Sequence, residues 1–139
     1  ISHGRLLLDG ALCELLAGDG WDAYVKPFRT LEDIYVLSAM CAWLYGVGQD
    51  NGWPQALQLQ LLALLAGCAE VSRQPPNSSA GHVLLAGLFA QFDGLKAAID
   101  QAFADGLPEW AVLWQRDQAV LQLAAGARAK RLAKALTSR

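Results

Sequence analysis

Histidine is almost missing from this 139-residue chain, which carries only His3 and His82. With no HExxH, no Glu-x-x-His and no pair of histidines on one helix face, the usual zinc and di-iron sites of helical proteins are excluded, and neither a metal nor an organic cofactor is expected. One usable imidazole among scattered carboxylates also assembles no nucleophile–base pair, so the sequence gives no basis for an enzyme. His82 stands three residues after Ser79, a candidate N-cap. It reads as a solvated first-turn residue whose pKa the helix dipole lowers.

Charge is scarce as well. Charged residues make up 17% of the chain and apolar ones 54%, whereas an ordinary soluble domain is about one-quarter charged. The core is therefore large, or some apolar surface is covered by a partner. Cysteines are few and odd in number: Cys13, Cys41 and Cys68, without a CxxC, each sit in an apolar run and read as buried, reduced thiols of a cytoplasmic protein. Alternating β-branched or aromatic residues are lacking, which excludes strands. Lysine is lacking from the glycine-rich stretch Gly46–Gly52, which also follows a helix rather than a strand, so it is an interhelical turn and not a phosphate loop. Asp19, Asp22, Asp50 and Asn51 do not have the alternate spacing of a calcium loop.

Long uncharged runs are present but interrupted. Residues 51–69 contain Pro54 and three glutamines, and residues 74–92 open on Pro75, Pro76, Asn77, Ser78 and Ser79. Neither supplies the roughly twenty apolar residues of a spanning helix, so no membrane insertion is expected. Arg5 is followed by only three leucines before Asp9, too few for a signal peptide.

What the chain does have is helical spacing. Leu8, Ala11, Leu12, Leu15 and Leu16 share one face of a predicted helix over residues 5–17, which Gly18 and Gly20 terminate. Thr30 is a candidate N-cap, with Asp33 as an imperfect capping-box partner, for a helix over residues 31–46. From Ile34 to Gln49 that helix has no charge and no single apolar stripe, the pattern of a helix surrounded by others. A third helix is predicted from Pro54 to Val71, with Gly67 on a small face suited to close packing. A fourth covers residues 80–104 with Leu84, Leu88, Phe92, Leu95, Ile99 and Phe103 inward. A fifth runs from residue 108 to about 136, weakened at Gly126. The expected architecture is all-α: one compact domain, residues 1–139, of about five helices packed around the apolar helix at 31–46. The words Leu-Leu-Ala-Gly at 15, 64 and 84 have no fixed period and reflect composition.

Three constellations are candidates for function. Asp117 projects into the middle of the stripe formed by Trp110, Leu113, Trp114, Val120 and Leu121, where a carboxylate requires a partner or an opening. Tyr35 and Tyr45 on the central helix are candidate donors, and together the three residues define a possible interhelical ligand pocket. Five tryptophans exceed what a small core needs; Trp43 reads as core, Trp21 and Trp53 as half covered, and Trp110 and Trp114 as a contact surface. Residues 1–127 hold thirteen acids against six bases, whereas Arg128, Lys130, Arg131, Lys134 and Arg139 form a basic tail without an acid. That tail is either a solvated helix end, stabilised by the dipole, or a site for an acidic partner, with Arg128 and Arg131 as candidates. It is too short and too poor in aromatics for a nucleic-acid face.

The leading expectation is a non-enzymatic protein–protein interaction module of adaptor, regulator, chaperone or inhibitor type, including self-association as a homodimer, through an apolar, Trp-bearing surface. The alternative is a small-molecule-binding or sensor domain with its pocket near Asp117. Leucine, alanine, glycine, arginine and tryptophan usage points to a bacterial protein.

Overall fold

The computed structural model describes residues 4–137; His3 and Arg139 lie outside this range. After an irregular stretch over residues 4–19, one π-helical turn (Gly20–Val25) leads into α1 (Lys26–Asp50). Then follow α2 (Gln55–Val71), α3 (Ser79–Gly106), α4 (Pro108–Asp117), a 3-10 turn (Gln118–Gln122) and α5 (Ala125–Thr137). No strand occurs among the described residues. The described residues form a compact all-α bundle of five helices.

Helix boundaries follow local chemistry. The Asp19 carboxylate accepts hydrogen bonds from the backbone N–H groups of Trp21 and Asp22 and so caps the π-helical turn. The chain continues into α1 through Pro27 near its start, where a missing N–H costs nothing. Helix α1 thus starts five residues before the expected Leu31, and Thr30 is a buried residue inside it rather than its N-cap. Gly52, at a φ of +64°, makes the turn into α2, a backbone conformation that glycine adopts without strain. The Ser78 hydroxyl accepts from the Gly81 N–H and caps α3, one residue before the expected Ser79.

Neighbouring helices run antiparallel, as their contacts show. Gln58 on α2 donates to the Gly48 carbonyl near the end of α1, while the Ser38 hydroxyl, nearer the start of α1, meets Cys68 near the end of α2. Gly67 of α2 lies against Leu88 of α3 so closely that an added Cβ would stand 2.5 Å from a Leu88 methyl carbon. The small face expected on this helix is therefore where α3 packs. Along α3, Trp114 of α4 meets Asp100 and Arg128 of α5 meets Phe89, so α4 and α5 follow α3 backwards in series.

The core is lined by Ile34, Leu37, Cys41, Leu44 and Val47 from α1, Leu57, Leu61, Leu64, Cys68 and Val71 from α2, and Leu85, Phe92, Ile99 and Phe103 from α3. Around Phe103 three indoles gather: Trp43 and Trp114 stacked at 5.9 and 6.1 Å, and Trp53 edge-on at 4.9 Å. Burying such rings removes large apolar areas from water, and their offset or edge-on geometry adds to that stabilisation. Helix α3 is the one described helix whose length and composition would allow it to cross a membrane. Its Leu85, Leu88, Phe89, Phe92, Ile99 and Phe103 are buried in the bundle.

Four expectations are corrected. Residues 4–19 form no helix, and the leucines expected to share one helix face are exposed. Cys13, in that stretch, is exposed too, whereas Cys41 and Cys68 are buried free thiols. Helix α1 is central but not enclosed: Tyr35, Ala39 and Ala42, one turn apart, face solvent, because no helix closes that side. The predicted fifth helix is broken into α4 and α5 by the 3-10 turn Gln118–Gln122, where the Leu121 carbonyl accepts from the Arg128 guanidinium.

A basic cleft as the candidate functional site

Asp33, which the capping reading had placed at a helix start, is the most deeply buried carboxylate among the described residues, at 4% exposure. One of its oxygens accepts from Arg128 Nη1 at 2.9 Å and the other from Arg131 Nη2. The Arg128 guanidinium also donates to the Leu121 carbonyl and lies 3.8 Å above the Phe89 ring. Arg128 and Arg131 are three residues apart and so lie on one face of α5, which lets a single carboxylate hold both. Arg128 and Arg131 of the basic run are thus docked on the body and tie α5 to α1.

One carboxylate against two guanidiniums leaves a positive charge, and more cations gather beside it. A cleft of about 660 Å³, open along one side, lies between the start of α1, the start of α3 and α5. Among the described residues its lining includes Lys26, Arg29, Lys130, Arg131 and Lys134 but only one carboxylate, Asp22, which is itself paired with Lys26. Five of the eleven lysines and arginines thus line one cleft in a chain of net charge −2. Arg29 and Lys130 form no ion pair among the described residues. Like charges held together in this way raise the local potential and attract anions.

His82 enters the lining from the first turn of α3, with Ser79 and Asn77 beside it. Burial lowers its pKa, and Arg131 lowers it further by making a second positive charge unfavourable. The direction agrees with the sequence reading, but the cause is burial beside a cation rather than solvated position in the helix dipole. Trp21 also lines the cleft and is 58% exposed. Tyr24, Val25 and Phe28 follow it at helical spacing and are exposed as well. The site therefore joins a cationic lining to an aromatic and apolar flank.

The other candidates are dispersed. Trp114 is fully enclosed, its indole N–H donating to Asp100 at 2.6 Å, so it is a core residue and not a contact surface. Trp110 stacks on Trp43 at 6.1 Å and keeps one side exposed. Trp53 is buried in the aromatic cluster rather than half covered. Asp117 does not enter a buried stripe: among the described residues of α4 only Trp114 is fully enclosed, and the helix ends at Asp117, whose carboxylate meets its neighbour Arg116 in solvent. That contact lowers the Asp117 pKa. Tyr35 is 66% exposed, and the Tyr45 hydroxyl accepts from Gln49 on the same helix. Asp117, Tyr35 and Tyr45 line neither the basic cleft nor the three smaller cavities around Arg128.

The buried thiols are chemically quiet. Desolvation, with a smaller contribution from Cys68, pushes the Cys41 pKa up to about 12, and burial raises that of Cys68 although Ser38 opposes it. No group of three or more potential metal-binding side chains is formed among the described residues. Comparison of the chain with family models, curated proteins and solved structures finds no match.

The location of the cleft was only half legible in advance. The basic run on α5 was visible, but Lys26 and Arg29 are about a hundred residues away in sequence. Asp33, which brings these elements together, looked like an ordinary capping residue.

Proposed function

We propose that this protein is a non-enzymatic helical binding module whose recognition site is the basic cleft, and that the partner it takes is anionic with an apolar part. The observation carrying this reading is the convergence of five cations on one cleft, two of them without an ion pair, beside exposed Trp21. Cations alone would suit any anion. The adjoining Trp21, Tyr24, Val25 and Phe28 favour a ligand that also buries apolar surface, as a protein segment does. The earlier expectation of an interaction module is kept, with its surface moved from Trp110 and Trp114 to the cleft.

Titration with hexaglutamate, followed by tryptophan emission, tests the reading. Saturable quenching is expected that is lost in Trp21→Phe, weakened in Arg29→Glu/Lys130→Glu and reduced by added salt. A flat titration at low salt, or one that those substitutions leave unchanged, overturns it.

A further inference from the structure

Two features of the chain are open to solvent and complementary in character. The first is residues 4–19, which form no regular secondary structure and leave Leu6, Leu7, Leu8, Leu12, Leu15 and Leu16 each at least 60% exposed. So many leucines left in water mark a surface that becomes covered. The same residues have amphipathic helical spacing, and they hold Asp9, Glu14 and Asp19 against Arg5. The second feature is the cleft, cationic and apolar where the segment is acidic and apolar.

We infer that residues 5–17 fold as an amphipathic helix in the basic cleft of a second copy, and that the exchange is reciprocal, giving a two-fold dimer. This rests on the cleft being the anion-recognising site argued above. The dimensions agree: thirteen residues of helix span about 20 Å, the same length as α5, one wall of the cleft, which is also thirteen residues long. Leucines would cover the flank of Trp21 and Phe28, while Asp9 and Glu14 would meet Arg29 and Lys130.

A second copy fits better than the chain's own cleft. The Tyr24 hydroxyl donates to the Ala17 carbonyl at 2.7 Å, and Asp19 caps the π-helical turn. Together they fasten the segment's exit to the turn that begins at Gly20. Docking on another molecule leaves both contacts in place.

The test uses the full chain in sedimentation and far-UV circular dichroism over a wide concentration series. The mass is expected to rise from 14.9 kDa to twice that value, with a parallel gain in helix as the segment orders. Arg29→Glu/Lys130→Glu and Asp9→Lys/Glu14→Lys should each weaken association about tenfold or more, and an equimolar mixture of the two should restore it as a heterodimer. All four positions are exposed, so thermal midpoints near that of the parent protein check that the variants fold.

A chain that stays monomeric, a dimer indifferent to both pairs of substitutions, or a mixture that fails to recover each refutes the inference. So does a helix gain independent of concentration, which would place the segment in its own cleft. If hexaglutamate binds the cleft while the chain remains monomeric, the second copy is the wrong occupant and the anion-binding reading stands. If neither binding nor association occurs, both readings fall.

Discussion

Replacing Asp33 by alanine removes the one carboxylate that holds Arg128 and Arg131 against α1. Two guanidiniums then face each other without a counter-ion, in a region where their side chains are only 13% and 21% exposed. Breaking a buried ion pair in this way costs about 3–5 kcal/mol, because the penalty is that of the charge left behind. The lower end of that range applies: both arginines retain some access to water, and Arg128 keeps its bond to the Leu121 carbonyl and its place over Phe89. A loss of about 3 kcal/mol is therefore expected, read as a lower urea midpoint at unchanged slope, with α5 the element loosened most. Asp33→Asn, which keeps one acceptor oxygen, should lose less. In Asp33→Leu/Arg128→Met/Arg131→Met no charge is stranded, and most of the stability should return. A loss below about 1 kcal/mol for Asp33→Ala, the level of a solvated surface pair, would refute the reasoning that this triad anchors α5.

Three further outcomes are expected. With a thiol-specific reagent at mildly alkaline pH in native conditions, only exposed Cys13 should react, while Cys41, its pKa near 12, and Cys68 should wait for unfolding; three thiols reacting at one rate would contradict their burial. His82 has a folded pKa below its ordinary 6.5, so the unfolded chain takes up a proton more readily, and stability should fall as pH drops from about 7 through that value. His82→Gln should flatten that part of the urea-midpoint profile, and an unchanged slope would remove His82 as its source. Phe103→Ala takes the centre out of the aromatic cluster and should cost about 3–5 kcal/mol in chemical denaturation; a cost under about 2 kcal/mol would mean that Trp43, Trp53 and Trp114 collapse into the space.

The elements with long, regular spacing were legible in the sequence because local pattern decides them. Residues 55–71 and 79–106 are helical nearly where their leucines and phenylalanines place them, and Gly67 marks the close approach of α3. The pattern failed where a tertiary contact outweighs it. Residues 5–17 have amphipathic spacing, but their leucines stay exposed in the monomer, and a helix of thirteen residues gains little stability alone. Asp117 was misplaced because its burial was projected along an unbroken helix, whereas the chain tightens into a 3-10 turn immediately after it. The cleft escaped notice for a related reason. Its cations come from residues 26–29 and 130–134, and their proximity depends on Asp33 binding Arg128 and Arg131 across nearly a hundred residues of sequence. Nothing local to Asp33 announces that role.

The central claim, that the basic cleft is where this protein meets its partner, is tested most directly by following backbone amide resonances during a hexaglutamate titration. Saturable shifts confined to residues 21–29, 77–82 and 127–135, and abolished in Arg29→Glu/Lys130→Glu, are the predicted result. Shifts centred on Asp117 or on the open side of α1 around Tyr35 and Ala42, or none at saturating peptide, would contradict it.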